Sequence, residues 1–168
     1  MTPLKELMRN HARPGRVHWI GLRPARKQPL VAVQSVLAQA NRGLEGDHTS
    51  ARVGAKRQVT LVQREHLEVV ARLVGLETVD PGLLRRNIVV EAVNLFALRK
   101  NRFRIGEAIF EGTELCHPCS RMESALGFGG YNAMRGHGGI IARVVESGRI
   151  GVGDSVEWLE GAETPQLH

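Results

Sequence analysis

Leu115-Cys116-His117-Pro118-Cys119-Ser120-Arg121 is the stretch of this sequence best suited to chemistry. Its two cysteines are the only ones in 168 residues. At this spacing they can share a soft metal or close a small-loop disulfide, and a thiolate there can act as nucleophile, sulfur carrier or metal ligand. The sequence predicts a helix over Pro118–Leu126, with Pro118 near its first turn. Cys119 would then sit where unpaired backbone N–H groups and the helix dipole stabilise a thiolate, helped by Arg121 and Arg135. Three chemistries compete for the pair. Thioredoxin-like exchange uses Cys-x-x-Cys at a helix start, but no βαβ pattern precedes this motif. A zinc deaminase combines His-x-Glu with Pro-Cys-x-x-Cys; His66-Leu67-Glu68 supplies the first half, yet Leu115 stands where the proline belongs. The third is a single thiolate acting on a bound cofactor or on transferred sulfur.

Three further clusters could serve such a thiolate. Gly46-Asp47-His48 lies in a glycine-bounded loop, where Asp47 can orient the His48 ring or accept N–H groups of a turn. Arg85-Arg86-Asn87 opens a strand; adjacent arginines point to opposite faces, so one of them can face inward and clamp an anion. Gly127 to Gly139 holds six glycines in thirteen residues, a composition that lets backbone N–H groups approach phosphate. It matches neither a Walker A loop nor a dinucleotide fingerprint. With Asn132, Arg135 and His137 it forms a candidate anion-binding wall.

The elements that must position these residues are mostly strands. Val17–Leu22, Leu30–Val36, Gln58–Val62, Asn87–Glu91, Arg102–Ile105, Ala108–Glu111, Ile140–Glu146 and Ser155–Leu159 read as strands. Leu67, Val70, Ala71 and Val74 mark one face of an amphipathic helix over Arg64–Val74, capped by Gly75. A short helix is predicted over Leu4–Arg13, ended by Pro14-Gly15. Asn41–Gly54 reads as a loop and Gly148–Asp154 as a turn-rich connection. Seven or eight short strands with two or three helices, not alternating regularly, argue for a mainly β (α+β) barrel or sandwich rather than a doubly wound sheet.

Composition bounds the rest. A chain of 168 residues predicts one domain over 1–168, with a core of about 17–159 and peripheral tails at 1–16 and 160–168. Two cysteines exclude a disulfide-knit scaffold and a four-cysteine zinc module. Residues 1–57 carry 11 Lys and Arg against 3 Asp and Glu, an excess of +8, whereas the remainder carries 12 against 14, a balance of −2. This local surplus suits an anionic partner and reads as a surface or docking face. Few aromatics interleave with it, which disfavours nucleic acid. No apolar run approaches the ~18–20 residues of a membrane span, and no signal peptide is visible. The expectation is a cytoplasmic protein, without nucleic acid or membrane as partner.

Taken in order, Gly46-Asp47-His48, Arg57-Gln58-Val59-Thr60-Leu61-Val62, Arg85-Arg86-Asn87-Ile88-Val89-Val90, Arg104-Ile105-Gly106, Cys116-His117-Pro118-Cys119 and Gly148-Arg149-Ile150-Gly151-Val152-Gly153-Asp154 resemble the MOSC domain, the family named for the C-terminal domain of molybdenum cofactor sulfurases. The resemblance runs from about Val17 to Leu159 and is to the small stand-alone members. It implies a β-barrel like the one inserted in pyruvate kinase and a pocket for the molybdenum cofactor (molybdopterin). It implies that Cys119 either ligates molybdenum or carries sulfane sulfur. Arg85 and Asn87 match the family's Arg-x-Asn, and Cys116 falls where some members also have cysteine. Arg85, Arg135 and Arg121 are expected to neutralise the pterin phosphate. One implied activity is reduction of N-hydroxylated small molecules. Two cysteines cannot also hold an iron–sulfur cluster, so electrons would come from a separate electron-donor reductase. The alternative is a sulfur carrier loaded by a pyridoxal-phosphate cysteine desulfurase, with Cys116 attacking the persulfide. The third class is a non-catalytic ligand-binding accessory module.

Overall fold

A computed structural model describes residues 3–159; the predicted tail at 160–168 lies outside them. The strands are β1 (Gly15–Leu22), β2 (Val31–Val33), β3 (Ser35–Gln39), β4 (Gly43–Leu44), β5 (Val59–Gln63), β6 (Ile88–Glu91), β7 (Arg102–Ile105), β8 (Ala108–Leu115), β9 (Ile140–Glu146), β10 (Gly148–Gly151) and β11 (Ser155–Leu159). The helices are α1 (Leu4–Leu7), α2 (Arg64–Val74), α3 (Leu95–Leu98), α4 (Arg121–Leu126) and α5 (Gly130–Met134), with 3₁₀ turns at His48–Ala51 and Pro81–Leu84.

Seven strands close into a barrel in the order β11-β7-β8-β9-β5-β6-β1, and β1 pairs back onto β11. Closure leaves no open edge in this ring. All neighbours in it are antiparallel except β5 and β6. A parallel pair needs a crossover, which α2 and the Pro81–Leu84 turn supply. β2 extends the sheet beyond β1, and β10-β3-β4 forms a small second sheet. The fold is therefore a mainly β barrel with a few short helices, as expected.

Period-two alternation sorts the side chains into two cores. Leu61, Ile88 and Val90 point into the barrel with Phe103, Phe110 and Ile140. Val62 and Val89 point outward and are covered by Leu67 and Val70 of α2, Met122 of α4 and Met134 of α5. The αL conformation of Gly75, at φ 78°, ends α2 as its sequence predicts, because a side chain would oppose that backbone.

Several local expectations are corrected. The apolar run at Leu30–Val36 is divided between β2 and β3. The expected loop at Asn41–Gly54 contains β4 and a 3₁₀ turn, and the expected connection after Gly148 contains β10, which pairs with β3. β4 is a two-residue hairpin partner of the adjacent β3, whereas β10 exists through a partner distant in sequence. The helix expected over Leu4–Arg13 covers only Leu4–Leu7. The glycine-rich segment contains α5, packed on the second core through Ala133 and Met134; burial here overrides the low helix propensity of glycine. Among the described residues no helix is long and apolar enough to cross a membrane.

Candidate functional site

The outward faces of β5 and β6 are not apolar throughout. Thr60 precedes Val62 on that face, and Asn87, just before β6, precedes Val89. There the helical cover stops and a cavity of about 190 Å³ opens. Five arginines line it, Arg23, Arg57, Arg85, Arg86 and Arg121, against a single carboxylate, Asp47; Cys119 and His117 complete one side.

Asp47 is fully engaged in the wall. Its Oδ1 accepts from the Arg23 backbone N–H at 2.8 Å and from Asn87 Nδ2 at 3.2 Å. Its Oδ2 accepts from the Thr49 hydroxyl at 2.6 Å and the Thr49 N–H at 3.3 Å. Asn87 is equally committed. Its Nδ2 also donates to the Gly21 carbonyl at 3.1 Å, and its Oδ1 accepts from the Thr60 N–H at 3.2 Å. These two residues tie β1, the Asp47 loop, β5 and β6 into one rigid surface.

Arg86 is the buried guanidinium, only 6% exposed. Nε donates to the Gly138 carbonyl at 2.8 Å and Nη1 to the Leu84 carbonyl at 2.7 Å. Nη2 is buried without a hydrogen-bond partner among the described residues, and so is Nε of Arg23. Burial lowers the pKa of Arg86; Cys116 opposes the shift and Arg57 adds to it. Arg23 is shifted down by burial first and then by Arg85, with Asp47 opposing. Both directions report positive charge crowded into a partly desolvated space. Arg85 reaches the cavity from a left-handed backbone, φ 59° and ψ 33°, uncommon for a side-chain-bearing residue.

The two thiols differ sharply. Cys119 is exposed on the cavity wall, whereas Cys116 is buried. Cys116 extends the β8–β9 ladder by one bond, its N–H donating to the Gly139 carbonyl at 2.9 Å. Arg57 Nη2 donates to its sulfur at 3.1 Å. A Cβ at Gly138 would run into the Cys116 carbonyl and stand 3.3 Å from Arg86 Nη2. Gly138 thus lets the thiol segment and the buried arginine approach each other.

The expected placement of Cys119 inside a helix is corrected. α4 begins at Arg121, and Cys119 contributes only its carbonyl, which accepts from the Met122 N–H at 3.0 Å. Cys116 is still bonded to Gly139 in the ladder, and the residues from there to Cys119 are irregular. Of the sequence-predicted site residues, Asp47, Arg85, Asn87, Cys119 and Arg121 meet at the cavity. Cys116 lies behind it, linked through Arg57. His48 stands beside the lining, its Nδ1 3.7 Å from Asp47 Oδ2. Asn132, Arg135 and His137 are outside the lining. Arg135 Nη1 donates to Asn132 Oδ1 at 3.5 Å, and the His137 ring is bonded to the Ala133 carbonyl at 2.9 Å and packs edge-on against His66.

Sequence alone assigns neither Arg23 nor Arg57 to the site and does not separate Arg86 from Arg85. Arg23 and Arg57 belong to the basic first third, which therefore contributes to the cavity as well as to the surface. The available signals were the paired arginines before β6, the arginine opening the Arg57–Val62 run, and the Gly138-Gly139 step before β9, a composition that marks close backbone approach.

A family model described as the MOSC domain matches residues 48–157. No curated protein sequence matches the chain. Among solved structures, the YuaD protein from Bacillus subtilis superposes with a TM-score of 0.75 at 17% identity, covering 89% of this chain and 98% of that one. YiiM from Escherichia coli superposes with a TM-score of 0.67 at 19% identity, covering 88% and 71%. YiiM from Geobacillus stearothermophilus gives 0.70 at 16%, covering 88% and 76%. At these identities the likeness is one of fold.

Proposed function

Because the chain belongs to the MOSC domain family, we propose that its arginine-lined cavity receives the anionic part of a molybdenum cofactor and that Cys119 is the thiolate presented to it. The observation that carries this reading is the imbalance of five guanidinium groups against one fully hydrogen-bonded carboxylate, with an exposed thiol on the same wall. The donor set fits the group. The arginines match phosphate, and the Cys119 thiolate is a soft sulfur donor able to ligate a transition metal. At about 190 Å³ the cavity is smaller than the ~300 Å³ typical of pockets that enclose an organic ligand. It therefore takes one end of such a molecule and leaves the remainder at the rim.

In this reading Arg23, Arg85, Arg86 and Arg121 hold the anionic end. Asp47 and Asn87 keep the wall rigid, and Cys119 supplies the sulfur ligand. When bound, the cofactor supplies oxygen-atom and two-electron chemistry. The reaction is reduction of N-hydroxylated small molecules, with electrons from a separate electron-donor reductase. Two unpaired thiols suit a reducing compartment, and the cytoplasm is part of the same reading. Elemental analysis of protein made in a host that synthesises the cofactor tests it. Molybdenum is expected in wild type and lost in Cys119→Ser; its absence from both rejects the reading.

A second reading is favoured by the unequal thiols. An exposed Cys119 with a buried, Arg57-bonded Cys116 three residues before it suits a sulfur carrier. Cys119 would take sulfane sulfur from a pyridoxal-phosphate cysteine desulfurase; Cys116 would release it as sulfide by attacking the inner sulfur of the persulfide, leaving a Cys116–Cys119 disulfide that an external thiol reduces. Mass spectrometry after incubation with a desulfurase and cysteine should show one added sulfur on Cys119 and none in Cys119→Ser.

A further inference from the structure

The arginine cavity contains more than diffuse positive charge. Arg86 is nine-tenths buried, two of its nitrogens are fixed by the Gly138 and Leu84 carbonyls, and the third has no hydrogen-bond partner among the described residues. Arg23 Nε is a second unpartnered buried donor on the same lining. A buried guanidinium N–H left unpaired is costly, and an oxyanion removes that cost while offsetting the mutual repulsion of the arginines. The enclosed space, about 190 Å³, accommodates a small inorganic anion whole. Cys119 is exposed on the same cavity. Arg86 occupies the position that the family's Arg-x-Asn pattern leaves open, and Arg23 precedes the matched residues 48–157.

We propose that the cavity binds a thiosulfate-type donor, a sulfane sulfur attached to a sulfonate group, and that Cys119 removes the sulfane sulfur. The step rests on the carrier reading of Cys119 and replaces the pyridoxal-phosphate partner by an inorganic donor. The Cys119 thiolate attacks the outer sulfur. A Cys119–sulfur bond forms, the donor's sulfur–sulfur bond breaks, and its electron pair departs with sulfite. Cys119 becomes a persulfide, and no external oxidant or reductant is consumed. Arg86 and Arg23 bind the sulfonate oxygens and stabilise the charge that gathers on the departing sulfite. A thiophilic acceptor, a thiol or cyanide, then takes the sulfane sulfur and restores the Cys119 thiolate.

The test uses the full chain, free of cofactor, incubated with thiosulfate. One sulfite is expected per Cys119, with a mass gain of one sulfur atom on the peptide carrying it, and cyanide should convert this sulfur to thiocyanate. Arg23→Gln and Arg86→Lys should each slow loading at low thiosulfate by roughly tenfold or more, while saturating thiosulfate recovers much of the loss. Inorganic sulfate should compete. Arg23→Gln is the decisive variant if Arg86→Lys does not fold, because the Arg23 side chain makes no hydrogen bond that the fold depends on through Nε. Loading by a desulfurase with cysteine but not by thiosulfate overturns the proposal and leaves the carrier reading intact. Loading by neither overturns both. Loading by thiosulfate at an unchanged rate in the folded Arg variants rejects the oxyanion site.

Discussion

At the scale of single residues, the site depends on side chains whose hydrogen-bonding capacity is fully assigned and on a few whose capacity is not. Asn87 joins Gly21, Asp47 and Thr60. Its Arg-x-Asn position suggested contact with a cofactor; its bonds make it the brace of the wall that a cofactor would meet. Asn87→Ala leaves several buried groups unpaired and is expected to cost about 2–3 kcal/mol. Urea denaturation checks this as a lower midpoint at unchanged slope. Asn87→Asp should not rescue it, because a carboxylate cannot donate to Asp47. Arg86 could not be told from Arg85 in the sequence. Alternation puts neighbours on opposite faces, but only the left-handed backbone at Arg85 decides how the pair enters β6.

At the scale of elements, legibility followed locality. α2 was readable because its apolar spacing and its glycine cap lie within a dozen residues, and Arg64–Val74 is the observed span. β9 was readable for the same reason. β10 was not, since its partner β3 lies over a hundred residues away; β4 and α5 were not, since β4 is only two residues long and α5 lies in a glycine-rich segment whose helix depends on packing against the second core. α2 and the segment after α5 meet through His66 and His137, whose rings are 5.1 Å apart. Burial lowers the pKa of His66, His137 lowers it further, and Glu65 opposes. The unfolded chain therefore binds this proton more readily than the native one, so stability falls as pH drops below about 6.5 and levels off beneath the folded pKa. Thermal midpoints from pH 8 to pH 5, taken about one unit apart, should fall more steeply in wild type than in His66→Gln. Equal slopes would remove His66 from the account. Gly139, at φ +81°, faces the Leu61 carbonyl so closely that a Cβ cannot be accommodated. Gly139→Ala should destabilise the chain by about 1–3 kcal/mol and loosen the Cys116 anchor. Faster alkylation of Cys116 in the variant, under conditions where wild type is protected, is the measurement.

At the scale of the whole molecule, ring closure through β1 and β11 separates an inner core from the outer one beneath α2, α4 and α5. Phe103 and Phe110 stack inside the ring at 5.6 Å between centroids. Phe110→Ala is expected to cost about 3–5 kcal/mol while leaving the outward cavity residues in place, so calorimetry should show a lower Tm with anion binding retained at low temperature. The amino-acid sequence alone determined what short-range physics can write: the period of α2, the β-rich character, the isolated thiol pair and an ordered set of motifs specific enough to indicate the family. It also located a surplus of positive charge, but not its purpose. Tertiary structure decided which charges meet. Arg23, Arg57, Arg85, Arg86 and Arg121 come from separate segments, and no local pattern states that they share a wall. It also decided that Cys116 is buried and Cys119 exposed, because barrel closure fixes which face of each strand is inside, and the ladder bond from Cys116 to Gly139 fixes where the chain leaves the barrel.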